Sequence, residues 1–213
     1  GWLSGFQAGG DLTSPWSPYA GADVRFSQGK TRFDGTIHNQ VPGKFFPFQS
    51  HTENTILNLE GRLGYTLGSL TLYASPFLGL GLHGWMRQAE DRKVGYDEWY
   101  RWCYVAVGAQ FRGQIPPLGF GLKASAIHTT LGEVQIRGVY SWPILLALSQ
   151  TWQYEAELPI SFQTKLYGLF WVGYFRYLPI GKSDSQKTGR GEIFVPSSRT
   201  YVWGNRLEFT YFF

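Results

Sequence analysis

The sequence predicts an all-β fold: a closed, antiparallel, eight-stranded transmembrane β-barrel with short turns at one end and long loops at the other. Three observations carry that expectation. Apolar and polar residues alternate with period two over most of the chain, the mark of strands with two unlike faces. Of the 213 residues 18% are aromatic and 16% are charged, against roughly 25% charged in a typical soluble domain. Short breaks containing Gly, Ser or Pro alternate with long connections, an asymmetry shared by bacterial outer-membrane barrels. Mean hydropathy is only −0.20. The longest aliphatic run, Ile144–Leu148, falls far short of the roughly 20 residues that a membrane-spanning helix needs.

Composition also removes other classes. The single cysteine, Cys103, excludes an internal disulfide and a multi-cysteine metal site. A formal net charge of +4 without a basic run gives no footprint for nucleic acid. Four scattered histidines, His38, His51, His83 and His128, do not make a metal site, and no cofactor is expected. The opening GWLSGFQAGGD has no basic start or apolar h-region, so an exported protein would be numbered here from its mature N-terminus.

Two segments are expected: a periplasmic N-terminal lead-in over 1–18, rich in Gly, Ser and Pro, and the barrel over 19–213. In the first strand Ala20, Ala22, Val24 and Phe26 alternate with Asp23, Arg25 and Ser27. Next, Leu57, Leu59, Leu63, Tyr65 and Leu67 oppose Asn58, Glu60, Arg62 and Thr66. The pair Gly68-Ser69 turns the chain into Leu70, Leu72, Ala74, Leu78, Leu80 and Leu82, a tight hairpin. A second hairpin runs through 99–112, with Cys103, Val105, Val107, Ala109 and Phe111 on the apolar face. It turns at 113–117 into Leu118, Phe120, Leu122, Ala124 and Ala126. The third sets Trp152, Tyr154, Ala156 and Leu158 against Gln153, Glu155 and Glu157. It returns through Phe162, Leu166, Phe170, Val172 and Tyr174, opposed by Gln163, Lys165 and Tyr167. The last strand carries Tyr201, Trp203, Leu207, Phe209, Tyr211 and Phe213 against Gly204, Arg206, Glu208 and Thr210. Long connections are expected near 28–51, 86–98, 131–148 and 178–199.

The polarity of these faces separates a lipid-facing barrel from a soluble one. A soluble barrel puts its apolar face inward and charges outward. Here the polar face is built of Gly, Ser, Thr and Asn with charges of both signs, which suits a narrow lumen. The apolar face carries almost no charge, with Arg101 and Arg176 expected on it only at outer strand ends. Tyr19, Trp85, Trp99, Tyr100, Trp142, Trp152, Tyr174, Tyr177, Tyr201, Trp203 and Tyr211 crowd strand ends, where interfacial aromatic girdles belong.

Leu207, Phe209, Tyr211 and the terminal Phe213 complete an alternating apolar ending. In this the chain resembles the small eight-stranded bacterial outer-membrane proteins of the OmpA and OmpX type. The resemblance implies a Gram-negative outer-membrane address with both termini periplasmic. It also implies that these four residues serve as the insertion signal read by the barrel-assembly machinery.

The inward charges are expected to form a lumen salt-bridge network: Asp23, Glu60, Glu155, Glu157 and Glu208 with Arg25, Arg62, Arg112, Lys123, Lys165 and Arg206. An eight-stranded barrel is just wide enough for side chains to fill it, and unpaired charges there would cost several kcal/mol each. The expected function is non-enzymatic and works through the outer loops: surface recognition, adhesion, envelope structure or association with a larger surface assembly. The partners are then outer-membrane lipid and lipopolysaccharide, with an extracellular or surface protein. A narrow ion or solute pore is the alternative. A third reading rests on His128, Thr130 and Glu133: His128 and Thr130 lie two apart on one strand face, which resembles the His-x-Ser element of PagL-type lipid A deacylases. That resemblance implies a general base beside a nucleophile. Thr130 stands where that family has Ser.

Overall fold

The computed structural model describes residues 2–38, 45–69, 71–89, 97–138, 142–164, 166–188 and 191–211. Among them there is no helix. The strands are β1 (Trp2–Leu12), β2 (Ser17–His38), β3 (Phe45–Gly68), β4 (Leu72–Ala89), β5 (Asp97–Ile115), β6 (Leu118–Arg137), β7 (Ile144–Ala147), β8 (Trp152–Gln163), β9 (Tyr167–Ile180), β10 (Gln186–Thr188), β11 (Gly191–Ile193) and β12 (Ser198–Tyr211). One antiparallel sheet runs in the order β1-β2-β3-β4-β5-β6-β8-β9-β12, with β7 attached to β6 and β10-β11 as a separate hairpin. The sheet curls into a half-barrel. Among the described residues β1 pairs with β2 alone and β12 with β9 alone.

The tight turns fall where the breaks in alternation put them. Gly68 adopts φ +124°, a conformation that side chains with a Cβ avoid. A Cβ there would also sit 2.4 Å from the Leu72 carbonyl oxygen. The β5–β6 turn holds a cis Pro116-Pro117 bond.

The sheet path carries nine strands, one more than alternation alone indicates. The extra one is β1, within the segment expected to be a lead-in, and it pairs with β2 continuously from Trp2↔Lys30 to Leu12↔Ala20. Its glycines hide the pattern. A Cβ on Gly5 would lie 2.0 Å from the Phe26 carbonyl oxygen, and one on Gly9 2.6 Å from that of Ala22. What reads as loop composition is thus the bare backbone of a strand packed against its neighbour.

Three further differences concern faces and lengths. In β9, Phe170 and Val172 point inward, 6% and 1% exposed, while Leu169, Trp171 and Phe175 face outward. The expected outward set was Phe170, Val172 and Tyr174. Residues 169–172 are apolar on both faces, so alternation is silent there and pairing decides: Ser161, itself buried, lies opposite Phe170. The same one-residue shift turns Arg176 inward onto Glu155. Of the aromatics expected at the membrane girdles, Tyr19 and Tyr100 are buried at 1% and 2% exposure. Trp85 also turns inward, donating from its Nε1 to Asn54 Oδ1, and Tyr174 stacks under the Arg176 guanidinium. Trp142, Trp152, Tyr201, Trp203 and Tyr211 remain on the exposed side. Finally, of the loops expected near 28–51 and 86–98, residues 28–38, 45–51, 86–89 and 97–98 continue β2, β3, β4 and β5 as long strands, and the rest lie outside the described residues.

Past the bulge where Thr130 and Leu131 face the single residue Cys103, β6 changes partner. Below it β6 pairs with β8, and beyond it Glu133–Ile136 pair with β7. A segment after β9 covers the far side of β7: the Ala147 amide donates to Asp184 Oδ1, and the Ser149 amide donates to the Lys182 carbonyl. This corner seals an apolar cluster of Tyr100, Trp102, Val134, Ile136, Ile144, Leu146, Ile180 and Val195.

Candidate functional site

On the strands nearest the short turns, inward positions recur every second residue, and the polar face of each strand meets the others inside the curl. Arg25 donates to both Glu155 carboxylate oxygens, at 2.7 and 2.8 Å, and its Nε lies 2.8 Å from Asp23. These three side chains are 7%, 8% and 2% exposed. β2 and β8 are not neighbours in the sheet, so this contact crosses the interior.

Arg62 is the second hub. It contacts Asp23 at 2.6 Å, Glu60 at 3.0 Å, Asp11 at 3.3 Å and the Tyr19 hydroxyl at 3.2 Å. Tyr19 in turn donates to Asp11 at 2.7 Å. Glu60 also accepts from the Tyr104 hydroxyl at 2.9 Å, with Lys123 3.9 Å away. Arg206 grips both oxygens of Glu157, each at 3.0 Å, and reaches Glu208 on its own strand. Arg112 touches Asp11 at 3.2 Å, and Arg176 lies 3.1 Å from Glu155. Bidentate guanidinium–carboxylate pairs of this kind combine charge with fixed geometry.

The structure therefore brings together ten of the eleven expected network residues; Lys165 lies outside the described residues. Two members were not foreseen. Asp11 sits on β1 and was hidden with that strand, although its position opposite Gly21 would have shown it once β1 was recognised. Arg176, expected on the outward face, points inward onto Glu155. With these two the network holds, among the described residues, six carboxylates (Asp11, Asp23, Glu60, Glu155, Glu157, Glu208) and six cations (Arg25, Arg62, Arg112, Lys123, Arg176, Arg206). Equal numbers of each sign are what a low-dielectric interior tolerates.

The network ends at an aromatic layer. His83 stacks on Trp102 with ring centroids 4.2 Å apart, and its Nδ1 lies 3.2 Å from Asn58 Oδ1. Beyond this layer lie the apolar cluster and, beside it, buried Thr52, Asn54 and Glu98, the last paired with Arg87 at 2.8 Å.

The residues of the deacylase reading are each engaged elsewhere. His128 Nδ1 lies 3.0 Å from the carbonyl of Thr129, and its ring packs against Trp152. The Thr130 hydroxyl donates to the Cys103 carbonyl at 3.2 Å. Glu133 forms an ion pair with Arg101. Ile127 and Thr129 are buried, which leaves His128 and Thr130 together on the opposite face, just before the bulge at 130–131. Leu207, Phe209 and Tyr211 of the expected insertion signal stand outward, 72%, 73% and 54% exposed; Phe213 lies outside the described residues. Neither a protein-family model nor a curated protein matches the chain, so its own geometry carries the functional reading.

Proposed function

We propose that the chain forms a transmembrane β-barrel of a bacterial outer membrane, closed around a charge-plugged lumen and acting non-enzymatically through its outer loops. The observation that carries this is the inversion of polarity across the sheet. Leu63, Leu78, Leu80, Val107, Leu158 and Leu169 stand 52–70% exposed on the convex face, while the ionised groups lie inside. In water that convex face would be an apolar patch far larger than monomers expose; in lipid it is ordinary.

Dimensions agree with this reading. From Cys103 to Ile115 the outward side chains of β5 carry no charge. At roughly 3.3 Å per residue and a tilt of about 40°, that stretch is about 30 Å tall, near the apolar band of membrane barrels. Immediately beyond it the first outward charges occur, as the Arg101–Glu133 pair. Arg137 follows, stacked over Trp99 at 4.5 Å, a pairing suited to a headgroup layer with lipopolysaccharide phosphates. Open sheet edges are not tolerated in hydrocarbon, and this is the reason for proposing closure. Insertion through the barrel-assembly machinery is proposed from the outward apolar ending of β12. The loops would then serve surface recognition, adhesion, envelope structure or association with a larger assembly.

Brominated-lipid quenching of single-tryptophan variants tests the membrane reading. Fluorescence from Trp152 and Trp203 should be quenched and that from Trp102 spared; equal quenching of all three overturns it. Single-channel recording separates plug from narrow pore, since a plugged lumen gives no steady conductance. Crosslinking on intact cells reports what the loops touch.

A further inference from the structure

We propose that the turn-side end of the lumen is a binding site for a small inorganic oxyanion, held by Gln110, Arg112 and Lys123. A cavity of about 80 Å³ lies there, bordered by these three side chains. A buried water needs only about 10–15 Å³, so the space admits several waters or one tetrahedral oxyanion.

The donors around it are less well matched than those elsewhere in the network. The carboxylates that also border the cavity are already taken. Glu157 and Glu208 are held by Arg206, and Asp11 is shared by Tyr19 and Arg62. Arg112 has one ion-pair contact, at 3.2 Å to that shared Asp11. Lys123 lies 3.9 Å from Glu60, beyond hydrogen-bond length. Gln110 is only 4% exposed, and among the described residues its Nε2 has no hydrogen-bond partner. A buried amide donor left unpaired costs about 1–3 kcal/mol, so something that accepts hydrogen bonds belongs beside it.

Strand pairing assembles the three groups. Gln110 and Lys123 are direct cross-strand partners, and Arg112 is two residues along the same face, opposite Gly121, which adds no side chain. Arg112 donates to Asp11 Oδ2 alone, Lys123 has no acceptor within hydrogen-bond length among its ion-pair contacts, and the Gln110 amide has none, so this small polar space carries more N–H donors than its acceptors satisfy. An oxyanion supplies several acceptor atoms and the negative charge together. This inference goes beyond the loop-mediated function and concerns the opposite end of the interior.

Equilibrium dialysis of the refolded, detergent-solubilised chain against radiolabelled inorganic phosphate tests it, with sulfate or chloride as competitor at matched ionic strength. Saturable uptake should appear that sulfate displaces and chloride does not. Lys123→Met should weaken it by about tenfold or more, and Gln110→Leu by about threefold to tenfold. Arg87→Lys, at the Glu98 pair on the far end of the β4–β5 ladder, should leave it unchanged. The Gln110→Leu variant alters no charge, so it decides the matter even where Lys123→Met fails to refold. Absence of saturable uptake would mean that the cavity holds water only. Equal displacement by chloride, or unchanged binding in Gln110→Leu, would likewise overturn the proposal.

Discussion

The interior has two unlike halves. Near the short turns it is ionic and its contacts are long-range: Arg25 and Glu155 are 130 positions apart, and Arg112 and Asp11 are 101 apart. Toward the long connections it is mostly apolar and built from one corner, where β5, β6 and β7 meet Ile180 and Val195, with Asn54 and the Arg87–Glu98 pair beside it. The first half ties together strands distant in the sheet order; the second fastens a local cap onto the wall. Loss of a charge should therefore threaten the curl of the whole sheet, whereas loss of an apolar side chain should loosen the cap.

The sharpest break in that contrast is Arg25→Met. It leaves Glu155 to Arg176 alone and Asp23 to Arg62 alone, with one negative charge in excess inside, and breaking a buried pair typically costs about 3–5 kcal/mol. Urea unfolding in micelles should show a lower midpoint for the entire transition. The double variant Arg25→Met/Glu155→Leu should recover part of that loss, because equal numbers of each sign are restored, although Arg176 then keeps only Glu157, 3.9 Å away; a double loss equal to the sum of the singles would mean that the two side chains act independently. Next comes Leu146→Ala in the apolar half, where truncation of a fully buried leucine costs about 2–5 kcal/mol. Its signature should be faster protease cleavage near 138–150 with the sheet's own transition nearly unmoved. A shift as global as that of Arg25→Met would erase the distinction between the halves.

Tyr104→Phe probes the border between them. Its hydroxyl bridges Glu60 and Asn58, so removal should cost about 1 kcal/mol in the same unfolding experiment. Smallest of all is Arg101→Gln on the outward face. Arg101 is 60% exposed, and exposed pairs are worth roughly 0–1 kcal/mol, so its midpoint should stay close to wild type.

The ionic half was the more legible of the two in the sequence. A charge on a strand whose other face is uninterrupted leucine has one place to go, and Glu60, Arg62, Lys123, Glu157 and Arg206 all went there. Asp11 escaped notice because the glycines around it imitate a loop, and Arg176 because the four apolar residues 169–172 carry no period. The apolar half was illegible for a different reason. Ile144, Leu146, Ile180 and Val195 lie in stretches too short to show alternation, and their burial comes from the bulge at 130–131 and the strand exchange above it. Those are tertiary facts that local patterning does not encode.

The strand path also has a parity. Nine strands of alternating direction leave β1 and β12 pointing the same way. Joining these two edges directly would make a parallel ladder, with slanted and slightly weaker hydrogen bonds, in an otherwise antiparallel wall. An antiparallel seam instead requires one more strand of opposite sense between them. Along that seam its outward residues would continue the row of Phe6, Leu12, Leu207 and Phe209, and its inward residues would border Gln7, Asp11, Arg206 and Glu208. An odd count of strands thereby fixes the direction, the spacing and the two-faced character of the segment that an antiparallel seam would admit.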